Sequence, residues 1–195
     1  MNVQPVILEG RRVRMEPLKK EHADELAKFA FNEQLWLWTT NLMRDIQDLD
    51  RYVDRALDEQ RRRVALPFVT VERATGRVVG SSRFGNIDVA NRKVEIGWTW
   101  IDPAWQRTCV NTEAKLLMLT HAFETWKCIR VELKTDALNT KSRAAMQRIG
   151  ATEEGTLRSH MITESGRIRD SVYFSILEKE WAAVRRGLLE KLNMH

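Results

Sequence analysis

The stretch best suited to chemistry is a polar turn that runs into a periodic helix, WQRTCVNTEAKLLMLTHAFETW from Trp105 to Trp126. Thr112 and Glu113 are good helix openers: such residues satisfy free N–H groups or the positive end of the dipole, and the same N–H groups can hold an anion such as a phosphate. A capped core helix reads the same way, so the turn alone does not decide. Cys109 at such a start could be a reactive, low-pKa thiol. A second place is NEQLWLWTTNLM, where Trp36 and Trp38 stand two apart and either pack in a core or wall an apolar part of a substrate. His22 sits on a mostly polar turn and reads as surface, while His160 alternates away from its neighbour Met161 on a strand.

These residues need elements to position them. Arg12 to Leu18 alternates as a first strand, and Ala23, Leu26, Ala27 and Ala30 make an apolar helical stripe. A second helix runs from about Asp48 to Arg63. The period then becomes two: a hairpin spans Pro67 to Phe84, turning at Thr75 and Gly76. KVEIGWTWI predicts a strand with Val94, Ile96, Trp98 and Trp100 on one face and Glu95, Gly97, Thr99 and Ile101 on the other. In the helix that follows, Leu116, Leu119, Phe123 and Trp126 share a face, with Lys115 and Glu124 on the other. Ile129 to Thr135 is a strand, Asn139 can cap a short helix that ends at Gly150, and strands near Thr152 to Ile162 and Arg167 to Leu177 form a last hairpin. A helix from about Glu180 to Leu192 closes an α+β order.

With 195 residues, 43% hydrophobic and 30% charged, one sizeable core and one domain over 1–195 are the default. The net charge of +5 is spread along the chain, so a nucleic-acid partner is not indicated. Cys109 and Cys128 lack metal-site spacing, which points to no metal and no disulfide framework. No apolar run is long enough for a membrane span, and MNVQPVILEG does not read as a signal segment, so the expectation is a soluble, cytoplasmic protein.

Element order now combines with EIGW (Glu95 to Trp98), QRTCVNTEA (Gln106 to Ala114), NTKS (Asn139 to Ser142), RIGATEEGTLR (Arg148 to Arg158) and GRIRDSVYFSILEKEW, ending at Trp181. Together, over about residues 10–180, these resemble the GCN5-related N-acetyltransferase superfamily, and within it the ribosomal-protein N-terminal acetyltransferases. The resemblance implies a mixed, mainly antiparallel sheet with helices on both faces and a V-shaped split between the strand ending near Ile101 and the one beginning near Ile129. It implies acetyl-CoA as co-substrate and direct transfer to an amine. In the family the turn before the long helix cradles the pyrophosphate, a role that carries over to Gln106, Arg107, Thr108, Cys109, Val110, Asn111 and Thr112.

The family turn has Gly, one variable residue, then Gly or Ala where this chain has Cys109 and Asn111, and Thr108 and Thr112 are expected to add hydroxyl donors. By the same resemblance a backbone N–H near Trp100 or Ile101 binds the thioester oxygen, Asn139 holds the pantetheine arm and Ser142 gives the thiolate its proton. Glu95 is the candidate base, because it opposes the Val94, Ile96, Trp98 and Trp100 face and looks toward the opening, and Met161 stands where some ribosomal-protein acetyltransferases carry a carboxylate, so that base is missing. With no strong base, a peptide α-amine suits the site better than a lysine. Two other readings stay open: a small-molecule amine acetyltransferase with Trp36 and Trp38 lining its pocket, and a non-catalytic acyl-CoA-binding module. The oligomeric state is also open, a homodimer among the options.

Overall fold

A computed structural model describes residues 1–193. In chain order the elements are β1 (Leu8–Glu9), β2 (Val13–Pro17), α1 (Ala23–Ala30), α2 (Ile46–Arg61), β3 (Leu66–Glu72), β4 (Val78–Asp88), β5 (Lys93–Ile101), α3 (Cys109–Thr120), β6 (Arg130–Asp136), α4 (Thr140–Arg148), β7 (Thr152–Ile162), β8 (Ile168–Leu177) and α5 (Glu178–Asn193). The order read from the sequence holds, with the two-residue β1 added and α3 running on through a wider turn of π type over His121–Thr125. Among the described residues no helix is long and apolar enough to cross a membrane.

The eight strands form one sheet in the order β1-β2-β3-β4-β5-β6-β8-β7. Every neighbouring pair is antiparallel except β5 and β6, which are parallel over only three rungs, Lys93 with Arg130, Val94 with Val131 and Glu95 with Glu132. Beyond Glu95 the two strands part, while β5 keeps its β4 partner as far as Ile101. One edge of residues 97–101 therefore faces a split with no ladder partner.

Both sheet faces are covered around β3, which is buried along its whole length. On one face Met118, Leu119 and Phe123 of the long helix and Trp181 and Leu188 of α5 meet Phe68, Phe84, Val94, Ile96, Leu133 and Phe174. On the other, Leu26 and Phe29 of α1 and Leu49, Tyr52 and Val53 of α2 meet Val69, Val71 and Trp100.

Strict alternation along β5 fails at one residue. Ser81 pairs with Trp100 but Arg83 pairs with Gly97, so β5 carries one extra residue, and Trp98 takes a positive φ of 50°. The faces exchange there: Val94, Ile96 and Ile101 share the α3 core, whereas Trp100 lies in the α1–α2 core and Trp98 packs against it. Gly85 makes room, since a Cβ on it would lie 2.3 Å from the Trp98 ring.

The start of α3 also departs from expectation. Thr108, not Thr112, is the cap, its Oγ1 accepting from Val110 N at 3.3 Å. Glu113 faces inward, and its carboxylate accepts from the backbone N–H groups of Arg11, Arg12 and Val13 at 2.7, 2.9 and 2.9 Å. This clamp ties the β1–β2 turn to α3. Hydrogen bonds to a charged acceptor contribute about 1.5–3 kcal/mol each in favourable cases, without simple additivity. Glu113→Ala is expected to lower the unfolding free energy by about 2–4 kcal/mol, with Glu113→Gln losing less, as read by urea denaturation.

Candidate active site

The site lies where β5 and β6 part, and each of its sides is supplied by different elements. Glu95 stands at the last paired rung, on the face opposite Val94 and Ile96, and is only 3% exposed. Its Oε2 accepts from Asn86 Nδ2 at 2.7 Å and pairs with Lys134 Nζ at 3.0 Å. Its Oε1 rests against Gly97, where an added Cβ would sit 2.9 Å away. One oxygen is thus tied down by a cation while the other borders the split.

The polar face continues across β6 and β8. Lys134 Nζ lies 5.9 Å from the centre of the Tyr173 ring, and His160 meets that ring edge-on at 5.7 Å. Sequence alternation set His160 aside, but the β7–β8 register slips between Leu157 and Met161, where Ser159 has a φ of 50°. That bulge turns the imidazole onto Tyr173, and its Nδ1 is buried without a partner. Asp136, 1% exposed, pairs with Arg167, whose guanidinium also lies 5.4 Å over the Trp38 ring. The β7–β8 hairpin tip closes this side: Glu164 N donates to Thr40 O, and the Glu164 carboxylate accepts from Leu42 N at 2.7 Å.

The two tryptophans separate. Trp36 is buried, its ring 5.1 Å from Trp100 and its Nε1 donating to Ala30 O, so the expected two-ring wall reduces to Trp38. Trp38 is half-buried and lines a cavity of about 130 Å³ with Gln34, Leu35, Leu37, Asn139, Thr140 and Lys141. Trp38 and Asn139, far apart in sequence, are thereby brought together. Asn139 caps α4, its Oδ1 accepting from Ser142 N at 3.0 Å, and Ser142 is half-buried in the first turn. Trp100 has its indole spent on the Tyr52 hydroxyl at 3.2 Å, and Ile101 is the residue whose backbone faces the split, since Asp102 N, one residue on, donates back to Val79 O of β4.

Across the turn, Gln106 Nε2 donates to Ile101 O at 3.1 Å, fixing the turn to the end of β5. Arg107 takes the left-handed conformation, φ 63°, and Thr108 is extended. Cys109, Val110 and Asn111 begin the helix, so their N–H groups precede its first internal bond. Val110 is buried in the core, Cys109 is half-buried beside the Arg12 guanidinium, and Asn111 and Thr112 are half-buried. Asn111 Oδ1 is a buried acceptor without a donor. Free helix-start N–H groups, an unsatisfied amide and arginines at 12 and 107 fit a phosphate-bearing ligand with an amide arm.

Sequence reasoning missed Lys115. Instead of facing solvent it is 6% exposed, and its Nζ donates to Thr99 Oγ1 at 2.7 Å and Ser82 Oγ at 3.4 Å. The signal was faint: Glu113 and Lys115 interrupt an otherwise apolar helix, and only the exchange of faces at Trp98 shows that a hydroxyl waits for the amine.

A split mixed sheet with a polar chamber on one side and an anion-type helix start on the other defines an acyl-transfer fold. Residues 12–152 match the acetyltransferase (GNAT) domain, and the chain belongs to that family, whose members are N-acetyltransferases. A Brucella melitensis GCN5-related N-acetyltransferase is 32% identical, with a TM-score of 0.88 over 96% of this chain and 85% of that one. The Bacillus subtilis (strain 168) protein named "Putative ribosomal N-acetyltransferase YdaF" is 38% identical over 106 residues, 54% of this chain and 57% of that protein. Mycobacterium smegmatis RimJ, in complex with CoA-disulfide, shares the fold at a TM-score of 0.84 and 23% identity, over 97% of this chain and 96% of that one.

Burial pushes the Lys115 amine from 10.5 down to about 7. Between these values the unfolded chain holds a proton that the folded chain has lost, so this group makes stability rise with pH from about 7 to about 10. Each pH unit in that window corresponds to about 1.4 kcal/mol at most. Relative to Lys115→Met, the wild-type unfolding free energy should therefore gain about 2 kcal/mol from pH 7 to pH 9, measured by urea titration of both proteins.

Proposed function

We propose that the chain transfers acetyl directly from acetyl-CoA to an amine, and that a protein α-amino group is the preferred acceptor. The observation that carries this is the engagement of Glu95: one carboxylate oxygen is held by Asn86 at 2.7 Å and Lys134 at 3.0 Å, which leaves a single oxygen for the acceptor, so an amine that readily sheds its own proton suits the site best. The name of the Bacillus subtilis relative, and the CoA-disulfide held by a protein of this fold, support the reading. Residues 1–195 act in it as one acetyltransferase domain.

Acetyl-CoA supplies an activated acyl group on a thiol leaving group. The residues that would hold it are the Gln106 to Thr112 turn, through the N–H groups of Cys109 and Asn111, with Arg12 and Arg107 adding positive charge and Asn139 beside the arm. The open edge of β5 at Ile101 offers a backbone N–H to the carbonyl oxygen. On the opposite face Glu95 Oε1 borders the acceptor's path, and Trp38 with Arg167 shapes its entrance. Ser142, in the first turn of α4, would stand near the leaving group.

At neutral pH an α-amine of pKa near 8 is neutral about two hundred times more often than a lysine near 10.4. Peptides with a free α-amine should therefore turn over about two hundredfold faster than N-blocked peptides with one internal lysine, in a free-thiol assay with acetyl-CoA. Faster lysine turnover would reverse the assignment, and binding of acetyl-CoA without thiol release for any amine would point to a binding module. Trp38→Ala is expected to raise the peptide KM about tenfold with little change in the affinity for acetyl-CoA, measured by calorimetry.

A further inference from the structure

Lys115 is the lysine that the described core buries, and the transfer outlined above gives it no part. Its amine reaches Thr99 Oγ1 at 2.7 Å and Ser82 Oγ at 3.4 Å, and the two hydroxyls are themselves 2.7 Å apart. Thr99, in contrast, is exposed, because β6 has already left the edge of β5 at that level. The three groups form a path from the core to the split.

The path opens on a definite side. Thr99 lies on the face of the sheet that carries α3, where the turn from Gln106 begins, whereas Glu95, Lys134 and Tyr173 lie on the other face with Trp38 and the hairpin tip. The acceptor side has its own polar groups, and Thr99 serves the side of the leaving group. We propose that Lys115, acting through the Thr99 hydroxyl, returns a proton to the departing CoA thiolate and is thus a positioning residue of the transfer. This rests on the acetyl-CoA reading above.

The amine nitrogen bonds to the acetyl carbon, the carbon–sulfur bond breaks and sulfur keeps the electron pair. Thr99 gives that sulfur its proton and refills from the Lys115 ammonium. The surplus proton of the new amide leaves to water, and Lys115 regains one from water. A serine hydroxyl such as Ser142 is a poor acid toward a thiolate whose thiol titrates near 8.5, whereas an ammonium pushed down to about 7 matches it.

Burial is the sole cause of that shift. Among the described residues no carboxylate or second cation of α3, β2, β4 or β5 shifts Lys115; Glu113 of α3 is engaged by the Arg11, Arg12 and Val13 amides, and Ser82 and Thr99 are the partners from the sheet. Glu95 and Arg83 stand on the opposite face.

The test uses the full chain, wild type, Thr99→Val and Lys115→Met, with acetyl-CoA and an α-amine peptide. Wild-type kcat should fall on the alkaline side, above about pH 7, as Lys115 loses its proton. Both variants should lose about a hundredfold in kcat near pH 7, and in Lys115→Met the alkaline fall should vanish, leaving a rate that only rises with pH. A second readout needs no turnover: in protein labelled with ¹³C-lysine, the signal missing from Lys115→Met should titrate near 7 in the wild type and shift when CoA is added. Thr99→Val keeps the lysine and carries the test if Lys115→Met does not fold. Normal wild-type turnover with an unchanged Thr99→Val rate and profile overturns this inference alone. A wild-type protein that releases no thiol with any amine overturns the transferase reading and this inference with it.

Discussion

The extra residue at Trp98 is the constraint on which the remainder of the site depends. A bulky residue at positive φ is unfavourable by about 1–2 kcal/mol, so neighbouring groups must hold it. Arg83 does so from β4: its guanidinium lies 5.0 Å over the Trp98 ring and 5.4 Å from Tyr52, and Glu59 of α2 pairs with it at 2.6 Å. The absent side chain of Gly85 accepts the indole. With the bulge in place, Trp100 fills the α1–α2 core, Ile101 returns to the α3 core, and Thr99 turns down onto Lys115. Without it, alternation would point Thr99 away from α3 and leave the buried amine with one fewer partner, a cost of about 1–3 kcal/mol that offsets the strain.

The same bulge marks a boundary between two kinds of sheet. Around β3 and β4 both faces are apolar and covered, so that half is a fixed support. On β6 and β8 the α3 face is equally apolar, with Val131, Leu133, Val172 and Phe174, but the other face carries Lys134, Asp136, Arg169 and Tyr173, next to Glu95 of β5. Buried charges of this kind persist only when paired, and the pairs chain together: Glu95 to Lys134, Asp136 to Arg167, Arg167 to the Trp38 ring. The chain ends at the loop between α1 and α2, which gives that loop a defined seat over the split. Recognition is built on the polar half and rigidity on the apolar half, and β5 belongs to both.

Periodicity made most of the fold legible because local burial follows it. The stripes of α1 and α2, the Asn139 cap and the Gly150 end of α4 were all readable as spacing and residue type. What could not be read was anything set by a partner distant in sequence. Trp36 and Trp38 look equivalent in NEQLWLWTTNLM, and only the meeting of Trp36 with Trp100 and of Trp38 with Arg167 separates them. Lys115 is polar by type and reads as outward, and Glu113 reads as a helix opener, yet one is buried for hydroxyls of the sheet and the other for three backbone amides. His160 follows the same rule: a register slip, invisible in the composition of the strand, decides its face.

The turn before α3 shows how far a motif can drift while its physical requirement is still met. Glycines in such a turn supply positive φ and close approach. Here the left-handed residue is Arg107, and Thr108 is extended, so the chain enters the helix at Cys109 with ordinary helical geometry from there on. Cys109 and Asn111 therefore need no positive φ, and a Cβ at either adds no backbone strain. Their N–H groups remain outside the first helical bond, which is the feature an anion requires. The difference from glycine is confined to side-chain bulk, and at Asn111 that bulk carries a buried carbonyl oxygen with no donor. An unsatisfied acceptor costs about 1–3 kcal/mol in the free protein, a penalty that a bound amide N–H at this place would relieve. The same substitution that removes a glycine thus adds a reason to bind a ligand that carries amides as well as phosphates.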